Sequence, residues 1–368
     1  MSEKCEPMRI LHVFASLDRG GAETLIMNVY RKIDREKFQF DFIVNDRTKE
    51  YAFEAEVLSM GGRVFRMPRY LMYNMFSYKR AWEELLKAHP EWRIIHGHHL
   101  SPAFIYFKVA KKMGLKTIAH SHCAGGAKNF KELIRKPFRY LFRKHTDVFL
   151  ACSVAAAEFI FGGSAHKSMV VNNAIDMDIF GFDSALRESA QDEFGIKNQL
   201  VVGHVSNFSA VKNQSFLIDV FAEIRKIKPD AVLLLVGNGA MRGDIEEKVK
   251  RLNLSENVIF AGVRGDVANL MQAMDVFILP SFFEGLPTVC IEAQATGLPC
   301  LISDKITAET KITDSLSFMP LEEDVKNWAK TAVKISELPR LDGITQVKSA
   351  GYDIVDVVKQ LEQVWRSA

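Results

Sequence analysis

Two glutamates, Glu284 and Glu292, stand with seven residues between them in residues 280–299, PSFFEGLPTVCIEAQATGLP. Residues 275–280, DVFILP, read as a short buried strand. Glu284 then falls in a Gly/Pro turn, and Glu292 lies inside the apolar run Val289, Cys290, Ile291, Ala293 and Ala295. That run stops at Thr296-Gly297, as a helix stops at a C′ glycine. The pattern is strand, turn, helix, with one carboxylate at the lip and another within the helix. Free N–H groups at such a helix start attract phosphate. A carboxylate within the helix accepts hydrogen bonds from paired hydroxyls, such as those of a ribose. A nucleotide-sugar site uses both features together. The plainer reading makes Glu284 a first-turn charge that suits the helix dipole and Glu292 a solvated helix residue. Against it stands the cost of an unpaired carboxylate among apolar neighbours.

Other chemistry-bearing residues also fall at strand ends. The first strand runs into Asp18-Arg-Gly-Gly-Ala-Glu23 and then a helix over 24–33, so Gly20 and Gly21 let the backbone approach a ligand closely. Residues 201–213, VVGHVSNFSAVKN, again pass from strand to helix, with Lys212 at the expected helix start, where its ammonium would meet an anion. Residues 236–243, VGNGAMRG, have glycines spaced G-x-G-x-x-x-G in mid-domain. A dinucleotide fingerprint would open its unit, so this stretch reads as a turn. Histidines gather at two strand ends, His96-Gly-His98-His99 and His120-Ser-His122-Cys123. Three readings compete: hydrogen bonds to sugar hydroxyls and a reacting phosphate, a zinc-type site, and satisfied structural histidines. No carboxylate or CxxC partner stands beside them, which weighs against the metal.

The elements that must position these residues alternate strand and helix almost throughout, which predicts parallel sheets covered by helices. Expected strands are 9–14, 40–44, 63–66, 94–96, 116–119, 148–152 and 168–171, then 200–205, 231–236, 258–261, 276–279 and 300–302. Residues 172–182, NNAIDMDIFGF, break the alternation and mark a linker. The expectation is an α/β chain of two Rossmann-like, doubly wound domains, 1–180 and 181–351. The last helix, 352–366, can pack on either half, a return of 352–368 to the first being one option. A length of 368 residues exceeds one ordinary core, in agreement. No apolar run is long enough to span a bilayer, and no leader pattern opens the chain. Five scattered cysteines suit reduced thiols in a cytosolic protein. The first 180 residues carry 28 Lys/Arg against 19 Asp/Glu, the remainder 20 against 26. Residues 128–144, KNFKELIRKPFRYLFRK, hold seven of those bases, interleaved with apolar residues at helical spacing. Such a helix suits an anionic membrane surface. Its alternative is a core-facing helix with snorkelling bases. Nucleic acid is a weak third choice, since no aromatic-and-glycine sheet motif accompanies the charge.

Together Gly20-Gly21-Ala22-Glu23, the strand-end His120, Lys212-Asn213, FEGLPTVCIEA and the following GLPC strand resemble the retaining glycosyltransferase family 4 of the GT-B fold. The segments HSH, VGHV, GVRGDV and EAQATGLPCLISD narrow the likeness to its bacterial exopolysaccharide and capsule branch, over nearly the whole chain. The resemblance implies two domains facing a cleft and transfer from a nucleotide diphosphate sugar, UDP-linked, to a lipid-linked glycan at the inner membrane face. It implies that Glu292 binds the ribose, and that Glu284 with Gly285, Leu286, Pro287 and Thr288 holds the donor sugar. Lys212 would neutralise the diphosphate, Gly20 and Gly21 would approach it, His120 would contact the sugar, and Val263-Arg264 would meet the base. No metal or other cofactor is implied. One departure stands out: where the family usually has an arginine aimed at the diphosphate, this chain has Asn207. Arg264 or Arg19 would then have to compensate. Two rival readings are a nucleotide-sugar epimerase of the same fold and a non-catalytic partner subunit.

Overall fold

The structure, a computed structural model, describes residues 6–47, 49–122 and 140–367. It consists of two units, Met1–Ala174 with Ile354–Ala368, and Ile175–Asp353.

The first unit is built on seven parallel strands: β1 (Met8–Val13), β2 (Phe38–Asn45), β3 (Arg63–Met67), β4 (Ile94–Gly97), β5 (Lys116–Ser121), β6 (Val148–Ala151) and β7 (Ser168–Val170). Their order is β3-β2-β1-β4-β5-β6-β7. Successive side chains point to opposite faces, and both faces are buried, as a parallel sheet requires. Ile10, Phe40, Phe42, Ile94 and Ile118 enter one core, while Leu11, Val13, Ile43, Ile95 and Ala119 enter the other.

The second unit repeats the plan with β8 (Val201–Val205), β9 (Val232–Val236), β10 (Val258–Gly262), β11 (Val276–Leu279), β12 (Cys300–Ser303) and β13 (Leu316–Met319). The order is β10-β9-β8-β11-β12-β13. β13 is absent from the sequence expectation. It is four residues long, Leu-Ser-Phe-Met, and pairs with β12 at the edge of the described sheet, so little apolar pattern announces it.

The expected boundary at 180 shifts to Ala174/Ile175. Ile175 and Phe180 are buried in the core of the second unit, which claims the segment before the helix Ser184–Phe194. The chain enters that unit at Ile175 and leaves it at Asp353, and these two residues form an isolated parallel bridge. The last helix, Ile354–Ser367, then belongs to the first unit. Ile354, Val357, Val358, Leu361, Val364 and Trp365 form its buried stripe, in one core with Leu25, Ile26 and Val29 of the helix Gly21–Lys32. Each such side chain contributes about 1.5–3 kcal/mol on full burial.

In each sheet the strand order reverses once, at β1/β4 and at β8/β11. Ligands of open α/β sheets bind beyond the carboxyl ends of strands at such points.

Candidate active site

Beyond β8 the chain passes Ser206 and Asn207, makes a tight turn at Ala210–Lys212, and enters the helix Gln214–Ile227 through Asn213 in a left-handed conformation, φ 54°. Lys212 therefore ends the turn before the helix rather than opening the helix. Beyond β11 the chain runs through Ser281 and Glu284 to the helix Thr288–Ala295. The two loops are tied where Phe282 N–H donates to the Val211 carbonyl at 2.8 Å. Across this tie Lys212 Nζ pairs with Glu284 Oε1, and Ser281 Oγ donates to the same oxygen at 3.0 Å. Only 21% of the lysine side chain and 15% of the glutamate side chain is exposed. An ammonium has three protons, so Lys212 keeps donors for a second anion.

The frame beneath this pair is polar and satisfied. His204, fully buried, donates from Nδ1 to the Ile278 carbonyl at 2.8 Å, and its Nε2 lies 2.7 Å from Ser206 Oγ. Burial lowers its pKa to about 4, so the ring is neutral. Gln214 Nε2 donates to Ser206 Oγ at 2.9 Å and to the Asn207 carbonyl at 3.0 Å, which fixes the loop carrying Asn207.

Glu292 is the fifth residue of its helix and half-buried, and its carboxylate has no hydrogen-bond or ion-pair partner among the described residues. Burial pushes its pKa up to about 7. No side chain caps the start of this helix, which leaves N–H groups of its first turn for an anion. Thr288 opens the helix, Pro287 precedes it, buried, and Gly285 and Leu286 form the half-buried approach. The helix stops at Gly297 as expected, φ 67°, where a Cβ would lie 2.1 Å from the Leu341 carbonyl oxygen.

The glycine-rich turn after β9 serves close packing of loops. A Cβ on Gly237 would fall 1.9 Å from the Ser206 carbonyl oxygen, and one on Gly239 would fall 2.2 Å from Asn207 Oδ1. Asn207 itself is exposed. Val263, 62% exposed, follows β10. Arg264 does not supply a spare cation: its guanidinium donates to Asp266 at 2.8 and 2.7 Å and to Glu193 at 2.6 and 3.2 Å. Those two carboxylates hold its pKa well above the usual arginine value. Arg19, in the first unit, lies 5.4 Å from the Phe53 ring centroid.

In the first unit Gly20 caps the helix Gly21–Lys32 in extended conformation. Glu23 folds back over this helix start, so that a Cβ on Gly20 would sit 2.3 Å from Glu23 Oε2. Burial raises the Glu23 pKa. At the ends of β1, β4 and β5 five histidines meet. His12 Nδ1 lies 3.1 Å from His98 Nε2, His98 Nδ1 lies 2.9 Å from His122 Nε2, and His96 Nε2 lies 3.3 Å from His120 Nδ1. Burial lowers every one of these pKa values, to about 3 for His12 and about 4 for His122, so the cluster is neutral near pH 7. Two groups, His12-His96-His98 and His98-His120-His122, bring ring nitrogens within 4.8 Å of one another. Contacts of 2.9–3.3 Å match N–H···N hydrogen bonds between these rings. Cys123 and residues 128–139 of the basic stretch lie outside the described residues; of that stretch Tyr140 and Leu141 are exposed and Phe142 is buried.

Sequence reasoning missed His12, Ser281 and Trp365 as parts of these sites. Ser281 adjoins the turn already singled out, and His12 shares with Ile10 the period-2 face of β1. Nothing local marks Trp365, whose indole reaches His96 from 269 positions away.

A pair of parallel-sheet units with polar groups at both reversal points is the architecture of GT-B glycosyltransferases. Residues 19–179 match the family model "Glycosyltransferase Family 4", and residues 187–337 match "Glycosyl transferases group 1". The chain is 33% identical to EpsF of Bacillus subtilis (strain 168), a glycosyltransferase by name, over 97% of this chain and 96% of that protein. It is 24% identical to the UDP-Gal:alpha-D-GlcNAc-diphosphoundecaprenol alpha-1,3-galactosyltransferase of Escherichia coli, over 97% and 96%. HepE of Anabaena, solved in complex with UDP and glucose, shares the fold with a TM-score of 0.81, covering 98% of this chain and 100% of that one at 19% identity. The chain belongs to glycosyltransferase family 4 and is a transferase of the GT-B fold. Its relatives include glycosyltransferases of bacterial polysaccharide synthesis such as CapH of Staphylococcus aureus.

Proposed function

We propose that this enzyme moves a sugar from a UDP-linked donor to a lipid-linked glycan acceptor in exopolysaccharide or capsule synthesis, with retention and without a metal. The observation that carries the reading is the meeting of Lys212 and Glu284 at the β8/β11 reversal, with the unpartnered Glu292 one helix start away. Glu292 accepts the ribose hydroxyls. Lys212 and the first-turn N–H groups of the helix Thr288–Ala295 meet the diphosphate, and so stabilise the charge that develops as it leaves. Glu284, held by Ser281 and Lys212, binds the donor sugar, as does His120 of the first unit. Gly20 and Gly21 let the peptide backbone approach the diphosphate, and Val263 and Arg264 border the base. The bond from the anomeric carbon to phosphate oxygen breaks, and a bond to the acceptor oxygen forms on the same face. The acceptor's proton passes to the leaving diphosphate. The reading assigns no glutamate as a nucleophile, unlike the two-carboxylate scheme of retaining glycosidases.

The UDP and diphosphoundecaprenol in the name of the E. coli relative support the donor and acceptor classes, as does UDP in the HepE complex. No helix among the described residues is long and apolar enough to cross a membrane. We place the enzyme at the cytoplasmic membrane face, held through residues 128–144; charge reversal of Lys131, Arg135 and Arg139 should then release it from anionic vesicles. A thermal-shift screen of UDP-, GDP- and ADP-sugars, followed by transfer to a diphosphoundecaprenol-linked acceptor and determination of the product anomer, tests the proposal. Stabilisation by GDP- or ADP-sugars alone would overturn the donor, and an inverted anomer the mechanism.

A further inference from the structure

The assignment of His120 to the donor sugar leaves open which atom of the ring makes the contact, and the first unit contains a hydrogen-bond chain that answers this. Trp365, on the last helix, donates from Nε1 to His96 Nδ1 at 3.4 Å. An indole N–H can only donate, so His96 Nδ1 carries the lone pair. His96 is fully buried among neutral rings and uncharged, so its single proton sits on Nε2. That nitrogen lies 3.3 Å from His120 Nδ1, which must therefore accept. His120 is likewise buried and neutral, so its proton is on Nε2. Among the described residues this Nε2 has no hydrogen-bond partner.

We infer that Trp365, acting through His96, fixes the tautomer of His120 so that it presents Nε2–H as a hydrogen-bond donor to an oxygen of the sugar nucleotide. The inference rests on the reading of His120 given above and adds two positioning residues, Trp365 and His96, to it. In this tautomer Nε2 has no lone pair, so His120 is a donor and not a base. Among the described residues its buried N–H has no partner, so it awaits a sugar hydroxyl, which favours donors with an oxygen there and disfavours deoxygenated analogues. The second chain, His12-His98-His122, contains no donor-only group of the kind that Trp365 supplies to the first.

The test is nitrogen NMR of the full chain labelled with ¹⁵N-histidine, where protonated and bare ring nitrogens have well-separated shifts. Signals are assigned by their loss in His96→Gln and His120→Gln. The expected result is a protonated Nε2 and bare Nδ1 at His120, with Nε2 shifting when UDP-glucose or UDP-galactose is added. Trp365→Phe keeps an aromatic ring but loses the indole N–H. It should convert His96 and His120 to tautomer mixtures and lower kcat/KM for the sugar nucleotide about 2- to 10-fold, the value of one neutral hydrogen bond, while leaving affinity for UDP alone unchanged. His96→Gln, whose amide can still donate to His120 Nδ1, should keep the His120 tautomer, and His96→Phe should not. That pair decides the matter where Trp365→Phe unfolds. A bare Nε2 at His120 in the wild type, or an unchanged tautomer in both Trp365→Phe and His96→Phe, overturns the relay. A protonated Nε2 that neither sugar nucleotide moves overturns the donor contact instead.

Discussion

The sheet reversal points of the two units carry opposite chemistry. At β8/β11 stands an ion pair, Lys212 with Glu284, with the carboxyl of Glu292 beyond it. At β1/β4 they are neutral imidazoles, five of them, kept uncharged by burial. Charged groups suit a ligand that carries formal charge, and partial exposure of Lys212 and Glu284 keeps the cost of their desolvation moderate. Neutral N–H and N groups suit hydroxyls, which need directed donors and acceptors rather than charge. Under the function proposed above, diphosphate and ribose fall to the charged groups of the second unit, and sugar hydroxyls to the histidines of the first.

The largest effect expected of breaking this division is at Glu284. Glu284→Ala should lower turnover by roughly 100- to 1,000-fold, the range for removing one group that stabilises developing charge. UDP affinity should hold or rise, because Lys212 then faces the diphosphate without a competing carboxylate. Turnover and UDP affinity falling together in calorimetry and kinetics would reverse the roles of Glu284 and Glu292.

Glu292→Gln comes next. Loss of charge-assisted hydrogen bonds to ribose should weaken UDP binding about 10- to 100-fold. Its pKa, raised by burial to about 7, adds a pH signature. Ribose hydroxyls favour the ionised carboxylate, so wild-type UDP affinity should fall as pH drops below 7, and the variant should be flat there. Stability runs the other way. The folded state holds this proton more tightly than the unfolded chain, so the contribution is present below pH 4.5 and is lost as pH rises through 7. Glu292→Gln should therefore raise the melting temperature at pH 8 and not at pH 4. Equal UDP affinity for the two proteins at pH 8 would remove Glu292 from the nucleotide site.

A smaller gain is expected at Asn207. Its exposed side chain leaves room for Asn207→Arg, and Arg264, engaged by Glu193 and Asp266, offers no competing cation. An added charged contact should tighten UDP-sugar binding about 10-fold, with repulsion from Lys212 reducing the gain. Weaker binding would show that another group already fills the place. The smallest effect is that of EDTA, which should leave turnover unchanged if imidazoles and Lys212 act without a metal. Loss restored by Mg²⁺, Mn²⁺ or Zn²⁺ would overturn that reading and turn the histidine cluster into a metal site.

The sequence alone determined the alternation of strands and helices, because parallel strands buried on both faces show as continuous apolar runs such as Val232–Val236 and Val276–Leu279. It determined the helix stop at Gly297 and the position of Glu292 inside its helix, because both are set within a few residues of chain. It could not show that Lys212 meets Glu284, 72 positions away, since that pairing exists only once β8 and β11 lie side by side. Nor could it show that Arg264 is occupied by Glu193, 71 positions distant, or that Trp365 reaches His96 across 269. Local pattern fixes which face a residue presents. Which groups that face meets, and hence which charges are balanced and which nitrogen bears a proton, is decided by strand order and by the return of the last helix to the first core.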